Sequence, residues 1–274
     1  MRISASNIAW HRRDDTAVAG LLAANRIDAI DVAPGRYFTD LTRVSDKEVD
    51  DVRRWWEARG IEITGMQALL FGTDGLNLFG EPSVRERMLT YLGHVCRIAR
   101  GLDARFLVFG SPRNRDRSGL DDQSAADIAC DFFRRLGDVA ADCGSVICLE
   151  PNPPAYGANF MIDAATTSEI VRSVGHPAIR MQLDIGAMTL NGESPADVLA
   201  CVGDLVAHIH ASEPGLEVLG DSGTDHGPVS SAIRKFCPDK IVTIEMRESA
   251  DAPLAALERA FAFARHWYGE AQRA

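Results

Sequence analysis

Short apolar runs alternate with amphipathic stretches of helical period about eight times along this 274-residue chain. The apolar runs predict strands at Ile3–Ile8, Ala29–Val32, Ile63–Leu70, Phe106–Phe109, Val146–Leu149, Ile179–Leu183, Val206–Ile209 and Ile241–Ile244. Strands that alternate with helices are expected to be parallel, because a parallel pair needs a long crossover between its strands. Eight such units in a chain of this length predict one closed (β/α)8 TIM barrel, a fold of about 250 residues.

The stretches between the strands carry helix signals. In SDKEVDDVRRWWEARG, Ser45 stands three residues before Glu48, which is the spacing of a capping box, and Gly60 ends the segment. No GxGxxG motif follows the first strand, which argues against a dinucleotide-binding fold. Neither a Pro/Gly/Ser-rich linker nor a low-complexity tract interrupts the pattern, so we expect a single domain over residues 1–274.

Composition and charge exclude several classes of protein. No stretch approaches the roughly 20 apolar residues that span a bilayer, and the N-terminus lacks the apolar core of a signal peptide. We therefore expect a cytoplasmic protein. The 29 basic and 39 acidic residues give a formal charge of −10, which argues against binding nucleic acid or anionic membranes. The six cysteines are scattered without a CxxC pair, as expected of reduced thiols that are mostly buried.

Four consecutive strands of the second half end in potential metal ligands, and in a TIM barrel the active site lies at these C-terminal ends. The four are Glu150, Asp184, His210 and Glu245. One polar strand end would need no explanation, since Asp184 could cap the next turn and His210 could be a hydrogen-bonded core histidine. Three carboxylates at one rim, however, repel one another unless a cation neutralises them. Carboxylates with one imidazole suit Mn2+, Mg2+ or Co2+ better than a structural Zn2+.

The motifs at these strand ends are LEPNP, LDIGA, HIHASE and TIEM. In their order and spacing the chain resembles, over nearly its whole length, the xylose isomerase-like TIM barrels. That superfamily includes ketose 3-epimerases, hydroxypyruvate isomerase, inosose dehydratase and endonuclease IV. The resemblance implies that Glu150, Asp184, His210 and Glu245 hold one divalent metal, with Mn2+ expected and Mg2+, Co2+ or Zn2+ as alternatives. It further implies that Glu150 and Glu245 are the catalytic acid/base pair, that the substrate is carbohydrate-like, and that the protein is a homodimer or homotetramer.

The resulting expectation is a metal-dependent isomerase or epimerase of a sugar or related polyhydroxy carbonyl compound. One glutamate would remove the proton beside the carbonyl to give a metal-stabilised enediolate, and the other would return a proton elsewhere. The alternative is a dehydratase of a keto-cyclitol or keto-sugar that uses the same site and expels a β-hydroxyl. Endonuclease IV is disfavoured, because it needs three zinc ions and because this chain is acidic. A non-catalytic binding barrel stays open if the protein fails to retain metal.

The chain departs from the ketose epimerases at three places. Ala187 stands where many members carry a histidine three residues after the aspartate, and Tyr156 stands about where the epimerases carry a further glutamate. The segment SEPGLEVLG lacks the arginine that follows their histidine strand. These absences argue against 3-epimerisation of a free hexose while leaving metal-assisted enolisation open.

Other polar residues near the strand ends are candidates for contacting substrate. They are Asn152, Tyr156, Gln182, Ser212, His226 and Arg247, with Gln67 and Trp10 as further pocket lining. His226 is either a second acid/base or a helix-start residue. Arg247 could bind a substrate anion or form an ion pair with Glu213, and His208 is expected in a deeper barrel layer. The arginines of FGSPRNRDR, residues 109–117, could receive an anionic substrate or serve solubility.

Overall fold

The computed structural model describes residues 1–269, and the apolar runs of the sequence are its strands. They are β1 Ile3–Ser6, β2 Ala29–Val32, β3 Glu62–Met66, β4 Phe106–Phe109, β5 Val146–Leu149, β6 Ile179–Asp184, β7 Val206–Ser212 and β8 Val242–Glu245. Each strand is parallel to its neighbours, and β8 pairs with β1, so the sheet closes. The predicted (β/α)8 barrel is confirmed. The expected domain of residues 1–274 includes residues 270–274, which lie outside the described part.

Helices cover the outside of the barrel. They are α1 Asp15–Ala24, α2 Asp46–Glu57, α3 Pro82–Leu102, α4 Asp122–Asp142, α5 Ala164–Val174, α6 Ile185–Asn191, α7 Pro195–Val202, α8 His226–Phe236 and α9 Pro253–Tyr268. The capping box of α2 forms as predicted: the Glu48 N–H donates to Ser45 Oγ, and the Ser45 N–H donates to Glu48 Oε2. Between β6 and β7 the chain makes two helices, α6 and α7, where the alternation predicts one.

Strand lengths differ from the expectation where the chain meets the rim. The third strand ends at Met66 rather than Leu70, because Ala68 has a left-handed φ of 53° and turns the chain out of the sheet. Three strands run further than expected, β6 to Asp184, β7 to Ser212 and β8 to Glu245. Their polar end residues therefore sit in the hydrogen-bonded ladder, which sets the direction of each side chain.

The barrel interior is polar at one level. Asp31 of β2 contacts His208 of β7, and both side chains are fully buried. The second and seventh strands are not neighbours in the sheet, so this contact crosses the inside of the barrel. The larger apolar core lies between the strands and the helices, where the inward face of α3, for example, buries Met88, Leu92 and Val95.

The cysteines agree with the expectation of reduced thiols. All six are free, and four are buried, whereas Cys143 is half-buried and Cys201 is exposed. Within residues 1–269, none of the helices is both long enough and apolar enough to cross a bilayer.

Candidate metal centre

Four side chains from adjacent strands converge at the C-terminal rim of the barrel. Glu150 follows β5 directly, Asp184 ends β6, His210 lies in β7 opposite Asp184, and Glu245 ends β8. Each offers one ligand atom, and these four atoms lie within 4.8 Å of one another. His210 Nδ1 is 3.5 Å from Glu150 Oε1 and 3.2 Å from Glu245 Oε2. The register of four parallel strands thus assembles the cluster that the strand ends predict.

Neighbouring groups hold the Asp184 carboxylate in place. It caps the N-terminus of α6, where the Ala187 N–H donates to Oδ1 at 2.6 Å. The Ser212 hydroxyl donates to Oδ2 at 2.7 Å and also accepts from the Gly186 N–H at 2.9 Å. Ser212 therefore orients a cluster residue from within the barrel wall, and its own side chain is fully buried.

The two glutamates are oriented by amide side chains. Gln67 Nε2 donates to Glu245 Oε1 at 2.6 Å, and Asn152 Nδ2 donates to Glu150 Oε2 at 3.1 Å. Glu150 also lies against Gly110, where a Cβ would stand 2.0 Å from Glu150 Oε2. A side chain at position 110 would therefore displace the Glu150 carboxylate from this position. Asn152 is fixed in turn, because its backbone N–H donates to the carbonyl of Met161 at 3.0 Å.

The charges of the cluster are unbalanced. Burial, together with Glu245 and Glu150, raises the pKa of Asp184 well above its usual range. Burial opposes a charge on His210, but the two glutamates outweigh it and raise the pKa of His210. Burial likewise opposes ionisation of Glu245, yet His210 lowers the pKa of Glu245. The cluster therefore retains protons, which is the behaviour of a site with too little positive charge.

This donor set fits a divalent cation. Three carboxylates and one imidazole converge with ligand atoms close enough to share one ion, and the imidazole is the only basic side chain within 4.0 Å of the carboxylates among residues 1–269. A dication would supply the missing positive charge and displace the retained protons. Oxygen ligands with one nitrogen match the preferences of Mn2+ and similar ions.

A second buried layer lies directly below. Asp31 Oδ2 is 2.5 Å from His208 Nε2, and Thr243 Oγ1 donates to the same oxygen at 3.2 Å. Burial opposes the charge on Asp31, but His208 outweighs it, so the pKa of Asp31 is lowered. An ionised carboxylate can only accept, so His208 Nε2 carries the proton of this bond. Asp31, His208 and His210 also lie close enough to form a metal set. His208 Nε2 is already bonded to Asp31, whereas the buried Nδ1 makes no hydrogen bond within the described chain.

A cavity of about 730 Å³ opens above the cluster. Glu150, Glu245 and Gln67 form part of its lining, together with residues from the loops after β1, β2, β3, β4, β7 and β8. A space of this size suits a small-molecule ligand. The two glutamates thus face the same cavity.

Some of the predicted substrate residues line the cavity or touch a cluster residue, and others do neither. Arg247 lines the cavity, but its nearest carboxylate is Glu217 at 3.7 Å rather than the predicted partner Glu213. Asn152 touches Glu150, whereas Tyr156 is partly exposed and its hydroxyl accepts from the Gly215 N–H at 2.8 Å.

Gln182 lies beneath the cluster, as Ser212 does. Its side chain is fully buried and does not line the cavity. With its amide oxygen toward the imidazole, it accepts from Nδ1 and the backbone N–H of His210, both at 3.2 Å. Gln182 and Ser212 therefore contact residues of the cluster and do not line the cavity.

His226 is placed behind the barrel wall, away from the cavity. It is the first residue of α8, in agreement with the prediction of a helix-start residue, and its side chain is buried. Nδ1 bonds the Tyr268 hydroxyl, and Nε2 lies 3.4 Å from Glu213 Oε1. Burial lowers the pKa of His226, although Glu213 opposes this. The expectation of a second acid/base at this position is not supported, because the ring is enclosed by α8, α9 and the loop after β7. Trp10 is likewise buried, and its indole donates to Asp15 at 2.8 Å.

The arginine-bearing loop after β4 separates into different roles. Arg113 and Arg117 are surface residues paired with Asp74 and Asp122. Arg115 is fully buried, and its guanidinium makes no hydrogen bond within the described chain. Burial lowers the pKa of Arg115 to about 10, while the charge of Glu150 opposes that change. The alternation of arginines in the sequence does not indicate that Arg115 is buried.

Sequence reasoning also missed Asp31 and Phe71. Asp31 lies inside an apolar strand, AIDV, and only the closure of the barrel brings it to His208. Phe71 lines the cavity although it is 85% exposed.

Comparisons with known proteins agree with this architecture. The family described as xylose isomerase-like TIM barrel matches residues 21–267. Similar solved structures include a D-psicose 3-epimerase crystallised with D-fructose, at 19% identity and a TM-score of 0.82, covering 98% of this chain and 100% of that one. A D-psicose 3-epimerase from Clostridium cellulolyticum H10 gives 17% and 0.81, over 98% of this chain and 99% of the other.

A 3-keto-D-glucoside 4-epimerase from E. coli is 17% identical with a TM-score of 0.80, covering 97% of this chain and 99% of that one. At such identities the likeness establishes the fold. No curated protein sequence is similar enough to count as a match.

Proposed function

Because this chain belongs to the xylose isomerase-like TIM-barrel family, we propose that it is a divalent-metal-dependent isomerase or epimerase of a sugar or related polyhydroxy carbonyl compound. The observation that carries the proposal is the pair of glutamates, Glu150 and Glu245, which face one cavity beside Asp184 and His210. Two carboxylates beside a metal set are the groups that proton transfer at a carbon next to a carbonyl requires.

Glu150, Asp184, His210 and Glu245 would hold the ion, for which Mn2+ is proposed, with Mg2+, Co2+ or Zn2+ as alternatives. When bound, the ion would supply Lewis acidity that makes the C–H beside a substrate carbonyl more acidic. The chain's own contribution is to orient the acid and the base. Gln67 directs Glu245, and Asn152 and Gly110 direct Glu150.

The two glutamates would exchange roles across the substrate carbon. Glu245, whose pKa His210 lowers despite burial, is ionised and can accept the proton, leaving an enediolate. Glu150, which lies against the same nitrogen of His210 as Glu245 does, would return a proton. In the reverse direction the roles interchange. The prolines at 151 and 153 are both buried, which supports a fixed direction for the Glu150 carboxylate.

The structural neighbours support a carbohydrate substrate, since they act on D-psicose or on a 3-keto-D-glucoside by name. The dehydratase alternative loses one of its supports, because His226 does not face the cavity. We further propose a cytoplasmic protein, one domain over residues 1–274, and a homodimer or homotetramer, as the family resemblance implies.

Deuterium exchange tests the proposal. The Mn2+-loaded protein is incubated in D2O with ketoses, inososes and 3-keto sugars, beside Glu245→Gln and a surface control, Glu258→Gln, which lies exposed on α9. Metal content is measured for each sample. We expect label at the carbon next to the carbonyl, retained in the control and lost in Glu245→Gln.

Label without loss of mass indicates isomerase or epimerase chemistry, and loss of one water indicates the dehydratase. If protein shown to hold its metal gives no exchange with any compound, the proposed substrate class is wrong. If no metal binds, the four-residue site is wrong.

A further inference from the structure

The lining of the cavity above the cluster is of two kinds. Glu150, Glu245 and Gln67 are polar and lie at the cluster, and Arg36, Ser111, Arg247 and Glu248 are further polar members. The rest of the lining is mainly apolar and comes from β4 and from the loops after β1, β3 and β7. Its larger members are Ile8, Leu69, Leu70, Phe71, Val108, Phe109 and Leu216. We refer to these seven residues as the apolar wall.

Phe71 is the outermost member of the apolar wall. It is 85% exposed, more than any other large hydrophobic residue in the described part of the chain. Its backbone is nevertheless fixed: the Phe71 N–H donates to the carbonyl of Ala68 at 3.0 Å, and the Thr73 hydroxyl donates to that of Leu70 at 2.7 Å. The exposed ring is therefore carried by a hydrogen-bonded turn.

The turn is also tied to the neighbouring loop. Asn114 Nδ2 donates to Thr73 Oγ1 of the turn at 3.4 Å and, further along the same loop, to the carbonyl of Leu76 at 2.7 Å. Asn114 is itself buried. The apolar wall is consequently formed before any ligand arrives, which reduces the ordering that binding would require.

An apolar wall selects what can lie against it. A sugar carries a hydroxyl on nearly every carbon, and burying a hydroxyl without a hydrogen-bond partner is unfavourable. The wall has no side-chain donor or acceptor to offer. A flat apolar group would instead remove the Phe71 ring from water and stack on it. The cavity, at about 730 Å³, is within the range of pockets that hold ligands of drug size.

We propose that the substrate is a glycoside-like keto compound whose sugar part faces Glu150 and Glu245 and whose flat apolar group lies on the apolar wall against Phe71. This inference rests on the proposed function and narrows its substrate class. Phe71 is a specificity-determining residue in this scheme and takes no part in proton transfer.

Two matched probes test it by binding alone. Phenyl β-D-glucopyranoside and methyl β-D-glucopyranoside are titrated calorimetrically into the Mn2+-loaded protein, Phe71→Ala and Leu190→Ala. Leu190 is a 42% exposed residue of α6 outside the cavity lining, and it controls for loss of surface apolar area. We expect the phenyl compound to bind about tenfold more tightly than the methyl compound. Phe71→Ala should remove that preference and Leu190→Ala should keep it.

Equal affinities in the unmodified protein, a preference that survives Phe71→Ala, or no binding of the phenyl compound would overturn the inference. Sedimentation of the same samples tests whether Phe71 instead lies in an interface between copies of the chain. If Phe71→Ala dissociates an oligomer, it does, and the inference is wrong. Failure of the proposed function would be visible separately, as absent metal or absent exchange. The apolar wall contains none of the four cluster residues, so the phenyl preference can be measured in either case.

Discussion

Two buried aspartates of the barrel should respond in opposite directions to the same substitution. Asp184 has a raised pKa, caused by burial and by Glu245 and Glu150, and Asp31 has a lowered one, because His208 outweighs burial. A carboxyl whose pKa is raised on folding destabilises the native state once the pH exceeds its unfolded value. A carboxyl whose pKa is lowered stabilises it over the same range.

We therefore expect Asp184→Asn to stabilise the metal-free protein at pH 8. The amide oxygen keeps the acceptor for the Ala187 N–H, and the amide nitrogen can donate to the Ser212 oxygen, so a bond of the opposite direction replaces the one that Ser212 donates now. Each unit by which a pKa is raised corresponds to about 1.4 kcal/mol, and about 1 kcal/mol shifts the melting temperature of a domain this large by about 2–4 °C. The melting temperature is therefore expected to increase, by about 3–6 °C for each unit by which the pKa of Asp184 is raised. Asp31→Asn should lower stability by about 3 kcal/mol or more, because it leaves His208 buried without its carboxylate.

Melting is followed by circular dichroism in EDTA and again with Mn2+. An ion present at 100 times its dissociation constant adds about 2.7 kcal/mol, or about 5–10 °C, to the unmodified protein. Asp184→Asn should gain far less. If metal-free Asp184→Asn melts below the unmodified protein, the inferred cost of the Asp184 carboxyl in the metal-free cluster is wrong. If Mn2+ stabilises Asp184→Asn as much as the unmodified protein, Asp184 is not a metal ligand.

Two further outcomes follow from the geometry of the cluster. Gly110→Ala should weaken Mn2+ binding at least about tenfold without unfolding the protein, because its Cβ would displace Glu150. The control is Gly93→Ala, inside α3, where the new Cβ would meet Val139 at 3.9 Å. It should leave Mn2+ binding unchanged and raise the free energy of unfolding by up to about 1 kcal/mol. Mn2+ affinity, measured by calorimetry from pH 6 to 8, should rise with pH and release protons, because the pKa values of His210 and Asp184 are raised in the metal-free protein and bound protons compete with the ion. A pH-independent affinity would contradict the assignment.

The barrel and the rim cluster could both be predicted from the sequence. The alternation of short apolar runs with stretches of helical period is a local signal, and eight repeats of it leave few other folds. Parallel strands bring their C-terminal ends to one rim, so the gathering of Glu150, Asp184, His210 and Glu245 could be predicted once those strand ends were read.

Which other polar residues meet could not be predicted from the sequence and depends on the three-dimensional packing. His226 and Arg247 both follow strand ends, yet one is enclosed by α9 and the other lines the cavity. Asp31 and His208 are 177 residues apart and meet only because the barrel closes. Phe71 lies on a loop whose direction is set by the left-handed turn at Ala68 and by contacts to the next loop. Such contacts join distant segments, and no local pattern of residues encodes which segments those are.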